Sequence, residues 1–342
     1  MRTITIPNTD LTVSALCLGT ADMGTAKPWD TARGMLDTFL AAGGNFLDTA
    51  RVYAEWVPGG RHASEKTLGR WLTESGSRDK IVLATKGAHP ELGTMQIPRM
   101  SAREITDDVD GSLTDLQTDR IDLWYLHRDD PARPVEEILH TLWALVDAGK
   151  IRYLGCSNWT LPRMKAAHAY AAQKCRTGFV ANQPLWNAAV ADPKAFTGMG
   201  NVVMDDATVA WHGETQTAAV PYSAQANGLF QKLAQNGGDL NALSGGPKAS
   251  YGHAENLRRF ERIRQLSDET GLTLTQITLG YLQAHPFPVS AIVGPRNSEQ
   301  LADTLSAADV VLTPAQATFV EGKILSSENG FPGGIIPSTF CR

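Results

Sequence analysis

Eight short apolar runs, bounded by glycine, aspartate or asparagine, recur along the chain between longer amphipathic stretches. They lie at 15–19, 45–48, 80–87, 121–127, 150–158, 179–183, 218–223 and 289–294. Runs of this length bounded by turn residues read as strands, and strands that are apolar on both faces must be covered on both. The stretches between them carry helical signals. Ser101 and Glu104 make a capping box, after which Ile105, Val109, Leu113 and Leu116 repeat at helical spacing. Pro134 opens a second helix with Val135, Ile138, Leu142 and Val146 on one face, ended by Gly149. Strictly alternating strands and helices give a parallel sheet, and eight such units predict an α/β fold, a closed (β/α)₈ barrel forming one domain over residues 1–342.

Ile4 and Ile6, then Asn8 and Asp10, then Leu11 and Val13 predict a short β-hairpin ahead of the barrel, placed to plug one end. Two segments break the alternation. Residues 190–215, with Pro193 and Trp211-His212-Gly213, make the helix after the sixth strand read as irregular, and 224–253, rich in Gln, Asn, Gly and Ser, reads as a long loop after the seventh strand.

A formal net charge of −5 offers no basic footprint for nucleic acid, and no apolar stretch approaches the roughly 18 residues of a membrane span. The first residues lack a leader pattern, so the expected location is cytoplasmic and the expected partner a small molecule. Cys17, Cys156, Cys175 and Cys341 show no CxxC spacing; they read as reduced and structural, and no metal site is expected.

In a barrel of this kind, chemistry gathers at the C-terminal ends of the strands. Asp48, Lys86 and His127 end the second, third and fourth runs, and Tyr53 follows Asp48 closely enough to fold over the same mouth. Neighbouring strands lie about 4.8 Å apart, so the three side chains converge if all point inward. Period-two alternation places His127 on a face with Leu123 and Tyr125, and Lys86 with Val82 and Ala84. Each residue alone has an ordinary explanation as a cap, a rim charge or a packing group. Together at one end of three consecutive strands they point to a catalytic site.

The segments GGNFLDTARVY (43–53), LATKG (83–87) and LHRDDP (126–131) resemble the aldo-keto reductase superfamily, as do GCSNW (155–159), NQPLWN (182–187), PYSAQANGLF (221–230) and AIVGPRNSEQL (291–301). The resemblance runs from about Leu16 to Leu305. It implies a catalytic tetrad of Asp48, Tyr53, Lys86 and His127. It also implies an NADP cofactor, NADPH being preferred and NAD possible, and reduction of an aldehyde, ketone or sugar-like carbonyl. Tyr222 would stack on the nicotinamide, with Ser157, Asn158 and Gln183 on its carboxamide. Ser223, Ala224, Gln225, Gly228, Leu229, Gly294 and Ser298 would hold phosphates, Arg296 the adenosine 2′-phosphate, and Gln300 and Asp303 the adenosine. The chain departs from the family in carrying Ala224-Gln225 where Pro-Leu is usual and Asp303-Thr304 where Glu-Asn is usual. Substrate contacts are expected from 23–29, including Trp29, and from Trp56, His89, Arg128 and Trp159.

A tyrosine hydroxyl, with a reference pKa of about 10, is a weak acid near neutrality. A nearby ammonium is expected to lower that pKa, and a carboxylate to hold the ammonium in place. Two other readings compete: a cofactor-binding regulatory subunit with little turnover, and a Schiff-base lyase with Lys86 as nucleophile.

Overall fold

All eight apolar runs contain strands of one parallel sheet. The computed structural model describes residues 1–196 and 200–323. After a hairpin of β1 (Thr3–Thr5) and β2 (Thr12–Ser14) come β3 (Leu16–Gly19), β4 (Phe46–Asp48), β5 (Val82–Gly87), β6 (Ile121–Leu126), β7 (Ile151–Ser157), β8 (Phe179–Gln183), β9 (Ala218–Ala219) and β10 (Ala291–Val293). The sheet order is β10-β3-β4-β5-β6-β7-β8-β9, each neighbour parallel. A bridge between Ala219 and Val289 joins its two ends, with Ser290 N–H donating to Ala219 O at 3.0 Å, so the sheet wraps into a (β/α)₈ barrel. The seventh and eighth runs shrink to two and three residues. Pro221 and Pro288 flank them, and proline has no N–H for the ladder.

The hairpin closes the N-terminal end, as its alternation implied. Ile6, Leu11 and Val13 pack inside the barrel with Phe46, Ala84, Leu123 and Tyr125. Gly155 makes room for that layer, because a Cβ there would stand 2.4 Å from the Tyr125 ring.

Helices cover the outside. The capping box is formed at Ser101, where the hydroxyl accepts from Glu104 N and the Glu104 carboxylate accepts from Ser101 N at 3.0 Å. Pro134 sits at the N-cap of Val135–Asp147. Among the described residues no helix is long and apolar enough to cross a membrane.

Two expectations need correction. The helix expected within 190–215 is present but regular, Asp206–Thr215, capped by Asp205 accepting from Thr208 N at 2.8 Å. Trp211 and His212 are buried residues of that helix, and the ring of Trp211 meets His168 edge-on at 5.0 Å. Residues 224–253 are likewise no open loop but short helices, including Leu229–Gln235 and Gly245–Tyr251. Their glycines misled because Gly228 and Gly245 adopt left-handed backbone at turns of the chain, while Leu229, Phe230, Leu233 and Tyr251 supply buried anchors. Of the cysteines, Cys17 and Cys156 are free and buried; Cys175 is exposed, which removes a packing role, and Cys341 lies outside the described residues.

Candidate active site

At the C-terminal end of the barrel, β4, β5, β6 and β8 each deliver a polar side chain inward. The Lys86 ammonium donates to Asp48 Oδ2 at 2.7 Å and to the Thr49 carbonyl at 2.7 Å. The other Asp48 oxygen accepts from Gln183 Nε2 at 2.8 Å, so both carboxylate oxygens are engaged. Lys86 lies 4.5 Å from the centroid of the Tyr53 ring, and that ring meets His127 edge-on at 5.9 Å. Asp48, Tyr53, Lys86, His127 and Gln183, separated by up to 135 positions in the sequence, thus share one site.

The loop bearing Tyr53 is clamped from behind. Arg51 ion-pairs with buried Glu65 at 2.8 Å and with Asp115, while Glu65 also accepts from Thr85 and Ser112 hydroxyls at 2.6 Å each. The hydroxyls of Thr20, Ser64 and Thr49 form a buried chain with spacings of 2.9 and 2.8 Å beside Asp48. Ala54, Ala88, Asn158 and Ser223, each just past a strand end or beside Tyr53, hold φ of 71°, 57°, 60° and 53°. Such left-handed backbone costs a non-glycine residue about 1–3 kcal/mol, and its clustering here is the pattern of a functional rim.

Burial dominates the electrostatics. It pulls the Lys86 ammonium down, but Asp48 and the Tyr53 hydroxyl more than offset it, leaving lysine firmly charged. Burial raises the Asp48 carboxyl against the pull of Lys86. For Tyr53 the expected lowering is corrected: desolvation outweighs Lys86, and the phenol stays above its ordinary value. His127 is driven well below the usual imidazole range by burial first, then by His89, Lys86 and Arg128. It is therefore neutral, and its Nδ1 has no hydrogen-bond partner among the described residues.

Beside this cluster opens a cleft of about 510 Å³, lined by Asp48, Tyr53, Tyr222, Ser223, Ala224, Gln225, Gly228, Gly294, Arg296, Gln300 and Asp303 among others. Leu229 and Ser298 are not on its wall. Leu229 is fully buried, and Ser298 opens the helix Ser298–Leu305. Gln300 accepts from Arg296 N at 2.9 Å, and Asp303 accepts from Thr275 at 2.6 Å. Asn158 is saturated internally: it donates to His127 O and Ser157 Oγ and accepts from Tyr222 OH at 2.8 Å and Val202 N. Ser157 Oγ donates to Gln183 O at 2.8 Å. These three residues brace the mouth.

The outer rim is mixed. Trp56 is 51% exposed and stands edge-on to Tyr53 at 6.1 Å, while His89 packs on His127 at 4.7 Å. Trp159, expected on a substrate wall, is 1% exposed and instead donates to the Arg128 carbonyl at 3.1 Å. Met23 is buried in the core, and Trp29 lies under the Arg70 guanidinium at 3.8 Å, away from the cleft lining. Lys232, which sequence reasoning missed, lines the cleft and donates to Asn227 O at 2.9 Å. Burial and the charge of Arg296 lower its pKa, so two cations face one another there. Nothing marks Lys232 in the sequence, because its neighbour Arg296 lies on a distant segment.

A family model described as the Aldo/keto reductase family matches residues 15–324. Norsolorinic acid reductase B of Dothistroma septosporum is 30% identical over 97% of this chain and 83% of that protein. The aryl-alcohol dehydrogenase [NADP(+)] of Phanerodontia chrysosporium is 30% identical over 87% of this chain and 77% of its own length. In fold, the chain is similar to the crystal structure of a thermostable aldo-keto reductase in complex with the inhibitor epalrestat, with a TM-score of 0.69 at 21% identity, covering 94% of this chain and all of that one. On this match, carried by the family model over most of its length, the chain belongs to the aldo/keto reductase family, whose members are oxidoreductases acting on carbonyl and alcohol groups.

Proposed function

We propose that this chain is an NADPH-dependent carbonyl reductase in which Tyr53 gives the proton. The observation that carries the reading is the buried Lys86 ammonium, tied to Asp48 at 2.7 Å and held 4.5 Å from the Tyr53 ring. A nicotinamide dinucleotide fits the adjoining cleft on two grounds. The volume, about 510 Å³, lies in the range of small-molecule sites, and Lys232 and Arg296 present positive charge to it. Ser223 to Gly228 and Gly294 would hold the diphosphate, Arg296 and Lys232 the 2′-phosphate, and Tyr222 the nicotinamide face. The relative described as acting with NADP(+) supports the same choice.

When bound, the cofactor supplies a hydride to the carbonyl carbon. Tyr53 then transfers its proton to the carbonyl oxygen as negative charge develops there. Desolvation keeps that phenol protonated at rest, which loads the acid for reduction. The Lys86 ammonium stabilises the phenolate left behind, and Asp48 holds Lys86 in place. Neutral His127 hydrogen-bonds the carbonyl oxygen and orients it. With Lys86 held charged by Asp48, its amine has no free lone pair for a Schiff base.

The test is loss of reduced-nicotinamide absorbance with NADPH and NADH against aldehydes, quinones, keto-steroids and keto-sugars. NADPH should give the faster turnover. Tyr53→Phe should still bind NADPH but lose about 10²- to 10⁴-fold in kcat, the usual contribution of a general acid. Full turnover by Tyr53→Phe would end the proposal.

A further inference from the structure

Arg128 has no carboxylate partner among the described residues, whereas other enclosed arginines of the chain do. Arg51, Arg78, Arg99 and Arg163 each sit against a carboxylate, at 2.8, 2.9, 3.1 and 2.8 Å. Two aspartates follow Arg128 in sequence, and neither pairs with it. Asp129 accepts both of its hydrogen bonds from Arg163, at 2.8 and 2.9 Å, and Asp130 faces Arg133 at 3.9 Å. The Arg128 guanidinium gives one N–H, from Nη1, to the His127 carbonyl at 3.1 Å. Its buried Nε has no partner among the described residues.

The residue is held at both its backbone and its stem. Its carbonyl is fixed by the Trp159 indole at 3.1 Å, and Gly200 packs against its stem, where a Cβ would stand 3.3 Å from Arg128 Cδ. The groups that feel its charge are those of the reaction end: Tyr53, Tyr222, His127 and His89. Burial lowers the pKa of Arg128, and only the two tyrosine hydroxyls oppose that, with no carboxylate contributing. An enclosed cation left unpaired in the free protein is expensive unless a ligand completes it. A planar guanidinium with open N–H groups matches a carboxylate in two-point geometry.

Resting on the reductase reading, we infer that Arg128 anchors a carboxylate on the substrate, so that this site selects carbonyl compounds carrying an acid group beside an apolar body. Trp56, half exposed next to Tyr53, provides the apolar surface. The phosphates of the cofactor are served elsewhere, at Lys232 and Arg296 in the cleft.

The test compares 4-carboxybenzaldehyde with methyl 4-formylbenzoate under saturating NADPH, in the wild type, Arg128→Met and Arg128→Lys. The wild type should prefer the acid in kcat/KM. In Arg128→Met the acid-to-ester ratio should fall about 10- to 100-fold, the range for losing a hydrogen bond to a charged group. Arg128→Lys should restore part of it. The ratio cancels any common effect of the substitution on Tyr53 or His127. Independently of turnover, 4-(hydroxymethyl)benzoate should quench tryptophan fluorescence at lower concentration in the wild type than in Arg128→Met. A wild type that reduces both aldehydes equally well, or a variant whose ratio is unchanged, overturns the anchor and leaves the reductase reading intact. A wild type that reduces neither aldehyde overturns the anchor, and the reductase reading falls with it only if no carbonyl of the wider panel is turned over either.

Discussion

The barrel interior has two layers built on the same strands, two residues apart. On β4, β5, β6 and β8 the lower layer is Phe46, Ala84, Leu123 with Tyr125, and Ala181, while the upper layer, at or just past the strand ends, is Asp48, Lys86, His127 and Gln183. Burial does not distinguish them: Leu123 is 0% exposed and Lys86 1%. What differs is how burial is made tolerable. The lower layer is stabilised by leaving water, at about 25 cal/mol per Å² of apolar surface. The upper layer loses solvation and is held by hydrogen bonds, with Asp48 engaged by Lys86 and Gln183 and Lys86 also donating to the Thr49 carbonyl. One layer resists disruption by volume and the other by pairing.

The largest effect should come from unpairing the upper layer. Lys86→Met leaves Asp48 buried with Gln183 alone, and breaking a buried pair in this way costs about 3–5 kcal/mol. Adding Asp48→Leu removes the stranded carboxylate, so the double variant should recover much of that loss while remaining inactive. Urea midpoints of the two variants and the wild type decide it. A double variant less stable than Lys86→Met would show that pairing is not what the upper layer depends on.

The lower layer should answer in the opposite way. Leu123→Ala removes a buried side chain beneath His127 and should cost about 2–5 kcal/mol through lost transfer energy and the cavity left behind. Turnover per folded molecule should change little, because no reacting group is touched. A fall in kcat comparable with that of Tyr53→Phe would mean that the two layers are not separable.

The same division explains what the sequence made legible. Period-two alternation placed Lys86 and His127 directly, since a strand offers only two faces. The hairpin plug and the Ser101 capping box were legible for the same reason, each being written in residues a few positions apart. Features made by distant segments were not. The Asp48–Gln183 hydrogen bond, the Arg51–Glu65 clamp and the approach of Lys232 to Arg296 leave no local pattern. Composition was misleading where glycines serve at helix starts, as at Gly228 and Gly245, because the few buried anchors of Leu229–Gln235 and Gly245–Tyr251 are outnumbered by polar neighbours. Whether the Tyr53 hydroxyl is pushed up or down depended on how completely the ring is enclosed, which only the packed structure supplies.

The smallest effect concerns pH and belongs to the upper layer's rim. His89 packs on His127, donates from Nδ1 to the Pro90 carbonyl at 2.7 Å, and is faced by Arg128, Arg99 and Asp108. Burial, then the charge of Arg128, lowers its pKa from 6.5 to about 4. Above 6.5 the imidazole is neutral in both folded and unfolded chains and contributes no pH dependence. As pH falls from 6.5 toward 4, the unfolded chain takes up a proton that the folded chain refuses, so stability declines. Each tenfold difference in proton affinity between the two chains is worth about 1.4 kcal/mol, so the decline attributable to His89 is about 1–3 kcal/mol. His89→Gln keeps a donor for Pro90 and removes the titration. It should narrow the difference between urea midpoints at pH 7 and pH 5, whereas Leu123→Ala should lower both midpoints equally. Equal narrowing by the two variants would place the pH dependence in the barrel as a whole and erase the distinction between its layers.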